Sequence, residues 1–161
     1  MHVKFSGNVI IYLSLFIAMC LNITPWPNQF ASLMPSWTLL ILMYWSIALP
    51  HKVSVGTGFS IGILVDILTG SALGQNALIF SIASFLSHTV YSRLRNYHVW
   101  QQACFILLFL LAMRFLSFWI GLFSGHAIIG YQYWLQALIS ALIWPAIFAC
   151  LRLTRRRFRV Q

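Results

Sequence analysis

The one acidic side chain in this sequence, Asp66, lies in the middle of an apolar run. General acid–base catalysis by two carboxylates is therefore excluded. The histidines are scattered at positions 2, 51, 88, 98 and 126, the cysteines at 20, 104 and 150 form no C-x-x-C pair, and no Gly-rich phosphate loop occurs. We therefore predict a protein that is not an enzyme and that has no metal site and no cofactor.

Asp66 belongs to a series of residues spaced four apart, which includes Gly58, Gly62, Gly70 and Gly74. Residues at this spacing lie on one face of a helix. Small residues on such a face let another helix approach closely in a membrane, and an ionisable residue there faces protein. We predict that Gly58, Gly62, Asp66 and Gly70 form a helix-packing or partner interface. In the alternative interpretation, Gly70 and Gly74 only make the turn that ends the helix.

Arg114 is the candidate charge partner of Asp66 inside the membrane. Asp66 lies 13 residues after Val53 and Arg114 lies 15 residues after Val99, so both are about 20 Å from the same ends of their helices. An ion pair there would offset much of the cost of burying each charge. The alternative is that Arg114 extends towards the surface while Asp66 is protonated or bonded to a hydroxyl group. Both readings stay open.

The composition is that of an integral membrane protein. Hydrophobic residues make up 61% of the 161 residues and charged residues only 7%, against about 25% in soluble domains. We predict an all-α fold with a single transmembrane domain over residues 1–161. Its six predicted spans cover residues 9–23, 37–49, 53–69, 76–91, 99–123 and 133–153, and a basic tail follows at 154–161.

The basic residues predict the orientation of these spans. One set of span ends carries nearly all the Lys and Arg, and the connections 24–36, 70–75 and 124–132 carry none. Since positive loops stay in the cytoplasm, both termini are predicted to lie inside. The net charge of +9 is then a topology signal and no sign of nucleic-acid binding. The arginines after the last span are predicted to contact anionic lipids of the inner leaflet: Arg152, Arg155, Arg156, Arg157 and Arg159.

Two segments allow alternative readings. The second span has only 13 residues, about 20 Å of helix against roughly 30 Å of hydrocarbon, so a re-entrant hairpin competes with a full crossing. A full crossing is favoured because a hairpin would leave Lys52 at mid-membrane. The first apolar segment imitates a signal peptide, but Met19 stands where a cleavage site needs a small residue, so we expect it to be retained.

Several motifs carry a resemblance to a known family. They are PSWTLLILMYWSIALPHKVSVGTGF at 35–59, the following Gly62, Asp66, Gly70 and Leu73-Gly74, WQQA at 100–103, LIWP at 142–145, and the basic tail. With these motifs the chain closely resembles the MreD family of rod shape-determining membrane proteins of Gram-negative bacteria.

The resemblance implies a multi-pass protein of the bacterial inner membrane. Such a protein belongs to the elongation complex, which directs peptidoglycan synthesis along the side wall and maintains rod shape. It is expected to bind MreC directly and, through the complex, MreB, RodA and the elongation transpeptidase. The family is also similar to the six-helix substrate-binding subunits of vitamin (ECF-type) transporters. The sequence leaves open whether copies of the chain associate with one another.

A second function class is kept as an alternative. The likeness to transporter subunits, together with polar residues at Thr69, Ser71, Gln75 and Asn76, allows a small-molecule-binding or transport subunit with an outward-facing pocket. Polar residues are ordinary at a membrane surface, so the scaffold function is preferred. Convergent donors in an outward-facing pocket would favour the alternative.

Overall fold

The computed structural model describes residues 7–24, 34–94, 96–123, 125 and 130–157, and these residues form six α-helices with no strand among them. The helices are α1 Gly7–Ile23, α2 Trp37–Ala48, α3 Val55–Thr69, α4 Gln75–Leu94, α5 Val99–Phe123 and α6 Tyr131–Arg157. The predicted all-α class is confirmed. α6 continues to Arg157, so the first four residues of the predicted basic tail are helical, and residues 158–161 lie outside the described part.

Proline and short polar residues set the limits of α2 and α3. Because Pro50 cannot continue the hydrogen-bond ladder, α2 stops at Ala48, and the Leu49 carbonyl accepts the N–H groups of Lys52 and Val53 at 3.0 and 3.2 Å. The Ser54 N–H donates to Thr57 Oγ1 at 2.9 Å, which satisfies a backbone donor where α3 begins. Pro145 is accommodated within α6.

The short helix α2 lies at the centre of the packing. Nine of its twelve residues are buried, and it packs against α1, α4 and α6. The fully buried Trp45 donates its indole N–H to Ser14 Oγ of α1 at 2.8 Å. α3 packs on α4 and more lightly on α1, whereas α5 packs on α6 and α4. Its neighbours therefore shield α2, which is too short to cross the hydrocarbon layer alone.

The outside of the helix assembly is apolar. Large hydrophobic side chains lie exposed on several helices, among them Phe16, Ile67, Leu108 and Leu142. Among the described residues, two helical segments are long and apolar enough to cross a membrane by length and composition, namely Val99–Phe123 and Tyr133–Arg157. Shorter apolar helices cover Asn8–Ile23, Trp37–Ala48 and Val55–Thr69. This arrangement fits a membrane protein.

Candidate functional site

The Asp66 carboxylate is buried, with 1% of its surface exposed, and it is held by the start of the next helix. Its Oδ1 accepts hydrogen bonds from Ser71 Oγ at 2.7 Å, from the Asn76 N–H at 2.9 Å and from Asn76 Nδ2 at 2.9 Å. Its Oδ2 accepts from the Gly74 N–H at 2.9 Å and from the Ala77 N–H at 3.3 Å. All of these donors belong to residues that follow Asp66 closely in the sequence, from Ser71 to Ala77.

These contacts make Asp66 a cap for α4 that is supplied by α3. The N–H groups at a helix N-terminus have no partner within the helix, and a negative charge there is favourable by about 0.3–1 kcal/mol, or about 2 kcal/mol when partly buried. Asp66 binds three such groups and spans the turn between α3 and α4. From the sequence, Ser71 and Asn76 were predicted only as polar residues at a membrane surface, although their positions five and ten residues after Asp66 could have marked them as donors.

Gly58 and Gly62 are packed against α4. A Cβ atom on Gly58 would meet the side chain of Ser84 and lie 2.7 Å from the Phe80 carbonyl oxygen. A Cβ atom on Gly62 would lie 2.6 Å from the backbone nitrogen of Ala77. The two backbones approach closely because both positions lack a side chain. The glycine face, defined by Gly58, Gly62 and Asp66, is thus filled by α4, and a partner helix would have to displace α4 to use it.

Gly70 does not share this face. Its backbone is left-handed, with φ at 65°, and nothing lies within 4 Å of a Cβ atom placed on it. It ends α3 as the residue after the last helical turn, because glycine adopts this conformation without steric cost. Within this chain Gly70 forms the turn of the alternative interpretation, and its part in a partner interface stays a prediction.

Arg114 does not pair with Asp66. Its Nη2 donates to Ser36 Oγ at 3.1 Å, and its Cζ lies 4.6 Å from the centroid of the Tyr133 ring. The Tyr133 hydroxyl donates to the Arg114 carbonyl oxygen at 3.2 Å. The expected ion pair is absent from the described part of the chain because α3 packs on α4 and α1, while α5, which carries Arg114, packs on α6 and α4.

A cleft opens between the C-terminal parts of α2 and α6. Its cavity volume is about 80 Å³, and its lining residues are Tyr44, Ile47, Ala48, Trp144, Phe148, Arg152 and Arg155. The Tyr44 and Phe148 rings meet edge to face, with centroids 5.6 Å apart. We call this feature the α2–α6 cleft. It brings Arg152 and Arg155 to the end of α2, while Arg156 and Arg157 are exposed at the end of α6 and Arg159 lies outside the described residues.

Comparison with known proteins decides the family. The family model described as rod shape-determining protein MreD matches residues 3–154. The chain belongs to the MreD family. The MreD of Haemophilus influenzae (strain ATCC 51907 / DSM 11121 / KW20 / Rd) is 37% identical over 145 residues, which cover 90% of each chain. No solved structure gives a significant match.

Membership of the MreD family confirms the resemblance described above. MreD proteins form a shape-determining structural family of membrane proteins, in keeping with the apolar exterior of the helices. The matched range contains the Asp66 turn, the Arg114 contacts and all of the α2–α6 cleft except Arg155. The Asp66 turn and the Arg114 contacts therefore lie wholly within the range that matches the family model, and the cleft lies within it apart from Arg155.

Proposed function

We propose that this protein is a non-enzymatic inner-membrane component of the cell-wall elongation complex that maintains rod shape. The observation that carries the proposal is the match to the MreD family over nearly the whole chain. In this function the protein binds MreC directly and helps to organise side-wall peptidoglycan synthesis by MreB, RodA and the elongation transpeptidase. Its own contribution is recognition between helices, which needs close packing and a few buried polar contacts.

We further propose six spans with both termini in the cytoplasm. The distribution of Lys and Arg supports this orientation. The α2–α6 cleft also supports it, because Ala48, four residues before Lys52, lines the same cleft as Arg152. The basic residues after α2 and in α6 thus lie at one end of the assembly, where anionic lipids would bind them. The likeness to substrate-binding subunits of vitamin transporters remains a prediction.

The occupied glycine face limits where a partner can dock. Because α4 fills the face of Gly58 and Gly62, the surface offered to MreC has to lie on other parts of the helices. α5 and α6 present large exposed side chains, such as Phe115, Trp119 and Leu142. A transmembrane helix of MreC packs against these exposed faces in the proposed complex.

Depletion of the protein in its own rod-shaped host tests the proposal. The expected result is loss of rod shape, restored by expression of the chain from a second locus. Rods that persist without the protein would overturn the proposal. A nutrient requirement with unchanged shape would instead establish the transport function kept as the alternative.

The structure gives the transport alternative no particular support. Ser71 and Asn76, two of the four polar residues that suggested an outer pocket, donate to Asp66. Thr69 donates its hydroxyl to the Val65 carbonyl oxygen at 2.7 Å and to Ser71 Oγ at 3.2 Å. These side chains hold the turn between α3 and α4, which explains their presence without a ligand.

A further inference from the structure

We propose that Arg114 is the binding point for a carboxylate on a membrane helix of a partner protein. The inference rests on the proposed function, because it takes that partner to be a protein of the elongation complex. It assigns the recognition of charge to a site on α5 that is separate from the glycine face.

No acidic side chain pairs with Arg114 in the part of the chain that the structure describes. Asp66 is the only acidic side chain in the whole sequence, and its two oxygens are bound by α4 and the preceding turn. The partners of Arg114 among the described residues are neutral: the Ser36 hydroxyl and the Tyr133 ring. A guanidinium has five N–H donors, and the contacts of Arg114 with the Ser36 hydroxyl and the Tyr133 side chain use two of them. The remaining donors suit the two oxygens of a carboxylate.

The N-terminus of α2 adds positive potential at the same place. Ser36 is the residue immediately before the first turn of α2, and its side chain makes no capping hydrogen bond to the helix. A helix N-terminus carries about half a positive charge and attracts anions. The Ser36 hydroxyl instead accepts a hydrogen bond from Arg114, so a cation lies beside the positive end of a helix. Two positive groups held together in an apolar layer favour an anion between them.

The depth of the site favours a protein carboxylate over a lipid phosphate. The Ser36 N–H donates to Ser140 Oγ of α6 at 3.3 Å, so Ser140 marks the depth of the site on a second helix. Arg114 lies nine residues before the end of α5 and Ser140 nine residues after the start of α6, which is about 14 Å along each helix. α5 is about 37 Å long against roughly 30 Å of hydrocarbon, so the site is about 10 Å inside the apolar layer. A carboxylate on a neighbouring helix reaches this depth directly.

Two large aromatic side chains that follow Arg114 in α5 are exposed. Phe115 is 55% exposed and Trp119 is 44% exposed, and their rings stand edge to face with centroids 6.1 Å apart. A partner helix that packs on these rings would carry its acid to Arg114. Truncating one member of a buried charge pair at an interface weakens binding more than the loss of an exposed charge does.

The test compares full-length Arg114→Met, Arg114→Lys and the matched control Arg93→Met, which removes an exposed arginine at the other end of the assembly. Each variant is expressed in the host with tagged MreC, and the amount recovered with MreC from detergent is measured against the total. Arg114→Met is expected to reduce recovery about thirtyfold or more. Arg114→Lys keeps the charge without the forked donors and is expected to fall between Arg114→Met and the wild type, and Arg93→Met is expected to match the wild type. Undiminished recovery of Arg114→Met would overturn the proposal.

A charge-reversal screen keeps the proposal testable if Arg114→Met does not accumulate. Cells that carry Arg114→Glu and have lost rod shape are selected for suppressors. A suppressor that replaces Asp or Glu by Lys or Arg in a membrane helix of a partner supports the proposal. Suppressors found solely within this chain contradict the proposal. Phospholipid that co-purifies with the wild type and is lost from Arg114→Met also contradicts it, because the anion would then be a lipid phosphate. Cells that need the protein for rod shape yet tolerate Arg114→Met refute this inference alone, whereas rods without the protein refute the proposed function.

Discussion

Replacing Asp66 by Asn is expected to destabilise the protein strongly, because the amide has one acceptor oxygen and cannot accept all five hydrogen bonds that the carboxylate receives. Oδ2 accepts two backbone N–H groups, from Gly74 and Ala77, and Oδ1 accepts three donors from Ser71 and Asn76. If the amide oxygen takes the place of Oδ1, the amide NH₂ faces Gly74 and Ala77, and at least two hydrogen bonds are lost. The opposite orientation loses three.

The size of the effect follows from these contacts. A hydrogen bond to a charged group contributes about 1.5–3 kcal/mol, so the loss of two costs about 3–6 kcal/mol. The contact from the Ala77 N–H is long at 3.3 Å, so the lower end, about 3 kcal/mol, is the expected value. A loss of this size is a large fraction of the free energy of unfolding of a typical folded domain, which is about 5–15 kcal/mol.

The assay is unfolding of the purified protein in detergent, followed by circular dichroism. Ser71→Ala removes one of the five donors and is expected to cost about 1.5 kcal/mol. Thr89→Val is the matched control, because the exposed Thr89 hydroxyl donates to the Phe85 carbonyl oxygen of its own helix. If Asp66→Asn unfolded with the same midpoint as the wild type, the carboxylate would not be what holds α4 against α3.

Three further predictions concern the glycines and the basic end of α6. Gly62→Ala is expected to lower the free energy of unfolding by several kcal/mol, since its Cβ would overlap the α4 backbone. In the control Gly56→Ala, the Cβ would lie 3.8 Å from Ser54 Oγ, so this change is expected to be neutral or stabilising by about 1 kcal/mol. Equal unfolding midpoints for the two variants would contradict close helix packing. Gly70→Ala is expected to lower the free energy of unfolding by about 1–2 kcal/mol, because the backbone φ at this position is positive. The same unfolding assay measures this change, and an unchanged midpoint would argue against a left-handed turn. The double variant Arg156→Gln, Arg157→Gln is expected to retain less anionic phospholipid after purification, by roughly fivefold for each arginine. Arg93→Gln is the control. Unchanged lipid retention in the double variant would contradict the proposed lipid contact.

Local chemistry made the helix limits predictable from the sequence. Pro50 ends α2 because proline lacks the N–H that the ladder needs, and Gly70 ends α3 because glycine tolerates positive φ. The burial of Asp66 could also be predicted, because small residues four apart mark a packed face. Each of these inferences depends on residues close together in the chain.

The partners of the two buried charges could not be predicted in the same way. Spacing indicates that a face is packed, but it does not say which helix packs there, so α4 and a partner protein were equally compatible with Gly58 and Gly62. The depth of a residue along its helix can be estimated from the sequence, but the neighbours of that helix cannot. Asp66 and Arg114 lie at similar depths, yet their helices α3 and α5 do not pack on each other. The contacts of Arg114 depend on the adjacency of α2, α5 and α6, which the sequence does not encode locally.

Site-specific photo-crosslinking in living cells, read out for MreC, shows directly which face of the protein meets its partner. The probe is placed in turn at exposed positions on three helices, Phe59 of α3, Phe115 of α5 and Leu142 of α6, with the buried Val65 as the control. We expect crosslinks to MreC from Phe115, Leu142 or both, and none from Val65, because α4 covers that side of α3. Crosslinks to MreC from Val65 with none from α5 or α6 would show that the partner occupies the glycine face, and this result would overturn the proposed docking surface.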